Sequence, residues 1–423
     1  MTPQPVLVIG AGAAGIAAAR RLRDLGRDCL VLEAGPRPGG RAVTDHSLGA
    51  PLDLGASWLH EAEHNPLTPL AQALGFTLHD TGRRRRDLLL TAAGEPATPE
   101  ERAAWEAAAD AFDAAAEAAV AAGSPDRPLA EVVPRGGPWD ATAAHWLAAM
   151  INAAEAERTS LHDYVATGLG GWNPQVAEGI GTLLERLAEG LPIRTGAVVR
   201  RLRWGAAGVA AEGLGGPWRG AAAIVTVSTG VLAAGGIRFD PVLPPALRTA
   251  IAGLPLGLLS KVAFRAGPEA GRLGLGDFAR LGRQVAGPDD SPMSWMLWPF
   301  GRDIAVGFLG GERAWALSHM GPASAEAAAR AELARYFGAH AVARAFPDRA
   351  LATRWGEDPC FLGAYSHALP GAARARGLLR DAAPAAGRLR FAGEACHVRF
   401  AATVGGAWSS GEHAAEAVHA ALG

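Results

Sequence analysis

The clearest pattern of apolar and polar positions lies at the start of the chain. Four consecutive apolar residues, Val6–Ile9, predict a buried strand, and residues 16–25 continue as a helix that Gly26 ends. A second apolar run, Cys29–Leu32, predicts the next strand. Two apolar strands joined by one helix favour a parallel βαβ unit, the first half of a nucleotide-binding domain.

Helical and strand patterns alternate along the rest of the chain, and no internal repeat is visible. Further helices are predicted over 67–74, 99–122, 141–154, 160–165, 180–187, 323–337 and 405–422. Further strands are predicted over 193–202, 223–227, 261–264, 304–308 and 390–394, the last ending in a turn. Three prolines and a short helix in 239–254 indicate a crossover, and the charge run Arg83–Arg86 indicates a solvated loop.

This order predicts an α/β fold, in which a Rossmann-like domain is interleaved with an α+β substrate domain. The first domain takes residues 1–80, 185–250 and 365–423. The second takes 81–184 and 251–364 and combines a mixed sheet with a helical insertion. Two domains interleaved in sequence explain the order of elements better than two consecutive ones.

The loop after the first strand carries the chemistry of a dinucleotide site. Gly10 permits a tight turn, Gly12 allows close approach to a pyrophosphate, and Gly15 lets the helix pack on the strand. The helix N-terminus offers N–H groups and a positive dipole end to phosphates. Glu33 ends the second strand, where a carboxylate accepts both ribose hydroxyls, and it disfavours the 2′-phosphate of NADP. These residues alone do not separate NAD from FAD.

Composition narrows the partners. The chain has 423 residues and a formal net charge of −2, which suggests neither nucleic acid nor an anionic membrane as a partner. Its three cysteines form no metal-binding pattern and fit a reducing cytoplasm. No stretch approaches the roughly 20 apolar residues of a membrane span. A strand that begins near residue 5 leaves no room for a signal peptide, and the last helix runs to the end with no anchor after it.

Lysine usage singles out one position. Of the 40 lysine and arginine residues, one is lysine, Lys261. The preference for arginine, with abundant alanine and glycine, suggests a GC-rich bacterial genome. Position 261 therefore requires a compact ammonium group rather than a guanidinium.

Ordered motifs extend this pattern through the chain. They are Glu33-Ala34, Gly39-Gly40-Arg41, Gly55-Ala56-Ser57-Trp58, 225–232, 239–241, 259–262, 354–359, 363–366, 391–394, 403–407 and Ser410-Gly411. Together they resemble the FAD-dependent amine oxidases, which include monoamine oxidases, polyamine oxidases and flavin-dependent histone demethylases. The details are closest to polyamine oxidases. The resemblance implies FAD as cofactor, held non-covalently, since Ala364 stands where covalent members carry cysteine.

The cofactor site is predicted from the fingerprint together with the resemblance. Arg41 is expected to neutralise the pyrophosphate, and Glu394 to lie near the ribityl chain or pyrophosphate. N–H groups at the start of the last helix are expected to face the flavin O2 and N1. The predicted FAD-binding residues are Gly10, Gly12, Ala13, Ala14, Gly15, Glu33, Ala34, Gly40, Arg41, Gly55, Ala56, Ser57, Trp58, Val199, Trp355, Gly393, Glu394, Thr403, Val404 and Ala407.

The resemblance also implies four residues at the reacting end. Lys261 matches the family lysine that holds a water against the flavin N5. Tyr365 matches one of two aromatic walls, and Thr403 stands at the other, as in the polyamine oxidase and demethylase branches. His60 resembles a histidine of vertebrate-type polyamine oxidases; its alternative is an ordinary loop histidine.

The substrate side is expected to be an apolar cavity with acidic groups for a distal ammonium. The candidates for the cavity wall are Trp172, Trp295, Trp298 and Phe300, although tryptophan is more often plain core. The acidic candidates are Glu61, Glu63, Glu155, Glu157 and Asp163.

The resemblance implies oxidation of a primary or secondary amine, possibly a polyamine. Hydride passes to the flavin, the imine is hydrolysed to an aldehyde, and dioxygen becomes hydrogen peroxide. The expected partners are a small-molecule amine and dioxygen, with no metal, in a monomer or homodimer. Two alternatives stay open: a desaturase or protoporphyrinogen-oxidase-like enzyme acting on an apolar substrate, and a non-catalytic flavoprotein.

Overall fold

A computed structural model describes residues 4–80 and 87–423 of the chain. The predicted solvated loop at Arg83–Arg86 lies outside the described residues. The strands of the described residues, numbered along the chain, are β1 (Val6–Ile9), β2 (Cys29–Leu32), β3 (Thr44–Asp45), β4 (Leu52–Asp53), β5 (Leu78–Asp80), β6 (Leu88–Leu90), β7 (Pro174–Val176), β8 (Ile193–Arg194), β9 (Val199–Gly205), β10 (Gly208–Gly213), β11 (Trp218–Gly220), β12 (Ala222–Val225), β13 (Arg238–Asp240), β14 (Leu256–Gly257), β15 (Leu259–Arg265), β16 (Ala279–Arg283), β17 (Ser294–Leu297), β18 (Ile304–Gly310), β19 (Leu351–Ala352), β20 (Tyr365–Ser366) and β21 (Leu389–Phe391).

The α-helices of the same residues cover most of the predicted helical segments. They are α1 (Ala13–Asp24), α2 (Leu67–Ala73), α3 (Pro99–Ala121), α4 (Asp140–Ala144), α5 (Leu161–Ala166), α6 (Ile180–Ala188), α7 (Thr229–Ala233), α8 (Pro245–Ala252), α9 (Gly311–Met320), α10 (Pro322–Phe337), α11 (Ala339–Ala345), α12 (Ala375–Asp381) and α13 (Val404–Leu422).

A parallel sheet forms the nucleotide-binding part of the fold. Its order, within the described residues, is β21-β12-β1-β2-β8, with every neighbouring pair parallel. Helices α1 and α13 cover one face, where Val8 packs with Ala18 and Val418. The other face packs on the four-stranded sheet β11-β10-β9-β13. The Rossmann-like part of the predicted fold class is confirmed.

The second part of the fold is a mixed sheet with a helical layer. Its strand order is β19-β15-β18-β17-β16-β6, antiparallel except for the pair of β16 with β6. One face packs on α9, α10 and α11. Helices α3, α4 and α5 form a separate apolar cluster around Trp105, Phe112 and Ala116, which lie on the buried face of α3. The predicted α/β and α+β combination is therefore confirmed, while the exact domain boundaries stay a prediction.

Two predicted elements differ from the structure. The strand predicted over 193–202 is wrong, because Gly196 turns the chain with a φ of +67° and separates β8 from β9, which join different sheets. The helix predicted over 141–154 runs as α4 and then as a π-helical segment, His145–Met150. Such π segments often occur at functional sites, and this one contributes to the cavity described below.

None of the helices within residues 4–80 and 87–423 is long and apolar enough to cross a bilayer.

The glycine at position 15 provides a test of the first turn. A Cβ at Gly15 would lie 1.9 Å from the carbonyl oxygen of Gly10, so the helix cannot keep its place against the strand. We expect Gly15→Ala to lower the free energy of unfolding by about 3 kcal/mol and to weaken FAD binding. Urea unfolding measures the first effect. Gly377→Ala in α12 is the control, since its Cβ would meet nothing closer than 3.8 Å; equal stability of the two variants would contradict the expectation.

Candidate active site

A cavity of about 840 Å³ is lined by residues of both sheets and of the helical insertion. The predicted site residues on its wall are Gly10, Gly12, Ala13, Ala14, Glu33, Ala34, Gly40, Arg41, Gly55, Ala56, Ser57, Trp58, His60, Val199, Lys261, Trp355, Tyr365, Gly393, Glu394, Thr403, Val404 and Ala407. Gly15 is the exception: it does not line the cavity but packs against the backbone of Gly10. A size of several hundred cubic ångströms suits a bound organic cofactor and substrate.

One end of the cavity has the geometry of a dinucleotide site. Gly10 turns the chain with a φ of +107°, which side chains disfavour. The carboxylate of Glu33 accepts hydrogen bonds from Ala11 N at 2.6 Å and Gly35 N at 2.7 Å. Glu33 therefore stands at the end of β2 and is fixed by the turn that follows β1. Its remaining lone pairs suit ribose hydroxyls.

Two helices begin at the cavity wall. Helix α1 starts after Gly12, which has no capping side chain, and the first residues of α1 line the cavity. Helix α13 starts at Val404, capped by the hydroxyl of Thr403, which accepts from Gly406 N at 2.9 Å. Positive helix ends stabilise negative charge, so the two ends suit a pyrophosphate and the electron-rich edge of a flavin. The predicted start of the last helix is confirmed.

The middle of the cavity carries a charged pair. Arg41 Nη1 donates to Ala364 O at 2.7 Å and to Glu394 Oε1 at 3.0 Å. The other oxygen of Glu394 accepts from Ser366 Oγ at 2.6 Å. Glu394 lies 6% exposed, and its carboxylate balances the arginine while both line the cavity. The geometry suits a cofactor segment that combines phosphates with hydroxyl groups.

Ser366 links the Arg41–Glu394 pair to a second, buried ion pair, which Arg376 forms with Asp163 of the helical insertion. Arg376 donates to Asp163 at 2.6 and 2.9 Å and to Ser366 Oγ at 2.8 Å, and both charged residues are buried. Asp163 lies at the start of α5, so the pair ties that helix to the wall formed by Ser366. The prediction that Asp163 meets a substrate ammonium is wrong, because its carboxylate is occupied by arginine.

The other end of the cavity is organised by Lys261. The side chain is 3% exposed, and Nζ donates to Asp53 O at 2.7 Å, Gly55 O at 2.6 Å and the hydroxyl of Ser57. The Nζ atom also lies 5.6 Å from the ring centre of Phe308. Lys261 is therefore an internal cation on the cavity wall, and it anchors the turn that follows β4. Lys261 is therefore not a surface residue.

Burial lowers the pKa of Lys261 to about 8, although the nearby Asp53 acts in the opposite direction. Between about pH 8 and its ordinary value of 10.5, the unfolded chain binds more protons at this residue than the folded chain does. The contribution of Lys261 to stability therefore rises with pH across this interval.

The lowered pKa of Lys261 predicts a pH dependence of stability that can be measured. We expect the stability difference between the wild-type protein and Lys261→Met to shift in favour of the wild type between about pH 8 and pH 10. Denaturant unfolding of both proteins at several pH values measures it. A difference that stays constant over this range would contradict the lowered pKa.

Aromatic and polar groups surround the lysine. The hydroxyl of Tyr365 donates to Ile151 O at 2.9 Å, and burial raises its pKa, so the ring is fixed and neutral. His60 stacks on Trp58 with 6.4 Å between ring centres, and its Nδ1 lies 2.9 Å from Asn173 Oδ1. The structure thus brings Tyr365, Trp58 and His60 to one cavity. Thr403 reaches it as a helix cap rather than as an aromatic wall.

The predicted substrate wall is wrong. None of its four aromatic residues lines the cavity. Trp295 and Trp298 are buried in the core between the mixed sheet and its helices, and Phe300 stacks edge-on against Phe278. Trp172 lies beside the cavity residue Asn173 without lining the cavity itself. Tryptophan spacing in the sequence does not indicate which sheet face each ring occupies.

The remaining acidic candidates are also absent from the cavity wall. Glu61 pairs with Arg399 at 2.7 Å, Glu63 accepts from Trp172 N at 2.9 Å, and Glu155 accepts from Glu312 N at 2.8 Å. Glu157 is exposed. These carboxylates stabilise loops and helix ends. The predicted acid site for a distal ammonium is therefore wrong at all five positions.

Sequence reasoning missed several residues that the fold brings to the cavity. They come from the π-helical segment, from α3 and α5, and from the strands beside Lys261: Trp146, Met150, Asp113, Glu117, Tyr164, Arg280, Ser294 and Phe308. Phe308 is the last residue of a strand predicted from sequence. That it lies opposite Lys261 follows only from the pairing of β15 with β18 in the structure. Asp113 and Glu117 are one helical turn apart in the predicted helix, a spacing that places them on one face.

The fold and this site define a protein that binds a dinucleotide cofactor. The nucleotide end of the cavity suits FAD, because the parallel sheet, the glycine turn, Glu33 and the two helix ends lie together there. The second, mixed sheet forms the wall at the other end of the cavity. The sequence model described as flavin containing amine oxidoreductase matches residues 13–123 and 136–419. The chain belongs to this family of flavin enzymes, and the predicted cofactor, FAD, is confirmed.

Two related proteins and one solved structure are similar to nearly the whole of this chain. Polyamine oxidase 4 of Oryza sativa subsp. japonica is 30% identical over 452 residues, which cover 98% of this chain and 88% of the relative. Lysine-specific histone demethylase 1 homolog 1 of the same plant is 30% identical and covers all of this chain, which spans 53% of that relative. A solved structure of a putrescine oxidase bound to putrescine matches with a TM-score of 0.82 at 22% identity, over 99% of both chains.

Proposed function

We propose that this protein oxidises a small primary or secondary amine with FAD and dioxygen. One observation carries the proposal: the same cavity that begins at Glu33 extends to the buried Lys261. A cofactor held along its length by Glu33, Arg41 and the start of α13 therefore ends beside a single internal lysine. The family membership and the polyamine oxidase relatives support an amine as the substrate.

When bound by Glu33, Arg41 and the start of α13, FAD would supply the redox chemistry, namely acceptance of a hydride from the carbon next to the amine nitrogen and transfer of two electrons to dioxygen. Overall, amine, dioxygen and water give an aldehyde or ketone, hydrogen peroxide, and ammonia or a shorter amine. The chain supplies binding and orientation. The rings of Trp58, Phe308 and Tyr365 form apolar walls that exclude water from a neutral amine.

Lys261 supplies a polar group at the reacting end. Its lowered pKa keeps part of the side chain neutral near pH 8, so it exchanges a proton with a neighbouring water more readily than an ordinary lysine does. Ser57 supports this geometry, because its hydroxyl lies within hydrogen-bonding distance of Nζ. We assign to Lys261 the positioning of a water for imine hydrolysis or for dioxygen chemistry.

FAD is proposed to bind without a covalent link. Ala364 lies on the cavity wall and offers only a methyl group. Cys360 also lines the cavity, but burial raises the pKa of its thiol and keeps it protonated. Acid precipitation is expected to release all of the yellow chromophore into the supernatant. Colour that stays with the precipitate would indicate a covalent bond.

The proposed activity is tested by anaerobic mixing with amines. A panel of monoamines, diamines and polyamines is added to the flavoprotein, and the oxidised flavin absorption is followed. We expect at least one amine to bleach it and admission of air to restore it with formation of hydrogen peroxide. Bleaching by none of the amines would reject the proposal and favour an apolar substrate or a non-catalytic flavoprotein.

A further inference from the structure

The ammonium group of Lys261 donates all three of its N–H bonds to protein groups. Two go to the main-chain carbonyls of Asp53 and Gly55, at 2.7 and 2.6 Å, and the third goes to the hydroxyl of Ser57. An ammonium group has three donors and no acceptor. The charged form of Lys261 therefore has no N–H bond left for a molecule in the cavity, although Lys261 lines the cavity wall.

Ser57 differs from the two carbonyls in what it can do with a proton. A carbonyl oxygen only accepts hydrogen bonds, whereas a hydroxyl accepts and donates at the same time. The side chain of Ser57 is buried, and Ser57 lines the cavity beside Lys261. Of the three acceptors of Lys261, the hydroxyl alone can take up one proton and release another.

The hydrogen bonds of Ser57 suit both protonation states of Lys261. With the charged lysine, Ser57 Oγ accepts from Nζ and donates to Gly55 O at 3.2 Å or to Asp53 O at 3.3 Å. With the neutral lysine, two N–H bonds still satisfy the carbonyls, and the hydroxyl rotates to donate to the lone pair of the nitrogen. The cluster therefore stays fully hydrogen-bonded when the charge of Lys261 changes, because one hydroxyl rotates.

The charged groups around this cluster hold Lys261 between its two forms. Burial lowers the pKa of Lys261 to about 8, while the carboxylate of Asp53 acts in the opposite direction. That carboxylate is buried and accepts from the Thr44 hydroxyl and from Ile180 N. On β18 the residue that faces Lys261 is the uncharged Phe308. The other titratable groups at this end of the cavity are Arg280, which shares the ring of Trp58 with Nζ, His60 and Tyr365. At about pH 8 both forms of Lys261 are populated.

The proposed reaction requires a proton at this end of the cavity. Dioxygen takes up two electrons and two protons when it becomes hydrogen peroxide. The hydride removed from the amine carbon carries both electrons but only one proton, so dioxygen and this hydride together amount to a hydroperoxide anion. The second proton has to come from an acid in the protein or from water.

We propose that Ser57 relays a proton from Lys261 to the hydroperoxide anion in the cavity. The Nζ–H bond breaks as its proton moves to Ser57 Oγ, and the O–H bond of Ser57 breaks as its proton moves to the anion. Ser57 ends as a hydroxyl, Lys261 as a neutral amine and the anion as hydrogen peroxide, and a proton from solvent later restores the ammonium group by the same route. The inference rests on the proposed amine oxidase function, which creates the need for this proton.

The single lysine makes the relay observable by magnetic resonance. Protein that contains lysine isotopically labelled at Nζ, and that holds oxidised FAD, gives one side-chain signal, because the chain has one lysine. The measured quantity is the rate at which the Nζ protons exchange with water in the absence of substrate. We expect Ser57→Ala to slow this exchange at least about tenfold, and Ser57→Thr, which keeps a hydroxyl, to stay within about threefold of the wild type.

This exchange rate separates a relay from a structural role. Truncation of a serine that only holds the turn would leave Nζ more open to water, so exchange would stay equal or become faster. Thr353→Val is the matched control, because the Thr353 hydroxyl accepts from the main-chain N of Lys261 at 2.9 Å and Thr353 does not line the cavity. It should leave the exchange rate unchanged. Exchange in Ser57→Ala as fast as in the wild type would overturn the proposal, and so would equal slowing in Ser57→Ala and Ser57→Thr.

Reoxidation of the flavin provides a second readout. The protein is reduced with dithionite, so that no amine is needed, and is then mixed with dioxygen. We expect Ser57→Ala to reoxidise at least about tenfold more slowly than the wild type, and Thr353→Val to reoxidise at the wild-type rate. Reoxidation of Ser57→Ala at the wild-type rate would contradict the relay. Failure of every amine to reduce the flavin would instead reject the proposed function, while the exchange rates would still decide on the relay.

Discussion

Replacing Lys261 with methionine is expected to slow turnover about a hundredfold while FAD remains bound. Methionine replaces the side chain up to Cε but removes the ammonium group that donates to Asp53 O, Gly55 O and the Ser57 hydroxyl. This end of the cavity then loses its ammonium group, and the turn after β4 loses its anchor. Buried carbonyls without donors cost about 1–3 kcal/mol each, so stability should fall as well.

Rapid mixing separates the affected steps. Flavin reduction is measured anaerobically with excess amine, and reoxidation is measured after mixing the reduced protein with dioxygen. The flavin content of the purified variant is determined from its absorption. Arg265→Met provides the control, since this exposed arginine ends the same strand. If both half-reactions of Lys261→Met run at the wild-type rates, Lys261 takes no part in the chemistry.

Replacing Glu33 with alanine is expected to weaken FAD binding by about a hundredfold or more. The variant loses the acceptors of Ala11 N and Gly35 N and the carboxylate that is proposed to bind the ribose. Hydrogen bonds to a charged group contribute about 1.5–3 kcal/mol each, and tenfold in affinity corresponds to about 1.4 kcal/mol. Glu33→Gln keeps the shape without the charge, so its affinity should be intermediate.

Fluorescence of free FAD during dialysis or titration of the apoprotein measures this affinity. Glu178→Ala is a suitable control, because that carboxylate accepts from Thr77 N and lies outside the cavity wall. An affinity for FAD in Glu33→Ala within about threefold of the wild type would show that the ribose is held elsewhere.

Much of the nucleotide end was predictable because its determinants are local. The turn Gly10–Gly12, the strand Cys29–Leu32 and Glu33 lie close together in sequence, and each has one structural solution. The start of the last helix was also predictable, since a threonine cap followed by small residues specifies it locally. Lys261 was recognisable as the single lysine together with the resemblance, but its burial and its three acceptors were not.

The substrate end was predicted poorly because strand register and side-chain direction decide it. Trp295 and Trp298 are residues of the type that lines apolar cavities, yet both side chains are buried in the core beside the mixed sheet. Arg280 is one of many arginines in the sequence, and only the alternation along β16 places it in the cavity. Asp163 became unavailable to a ligand because a distant arginine, Arg376, folds against it.

The sequence, together with the family resemblance, determined the fold class and the cofactor, and it singled out Lys261. Short-range motifs carry this information, because tight turns and helix starts depend on residues a few positions apart. The tertiary structure decided which residues line the cavity beyond the cofactor motifs. They come from distant strands and from the helical insertion, and long-range pairing brings Arg280, Phe308 and Lys261 to one wall.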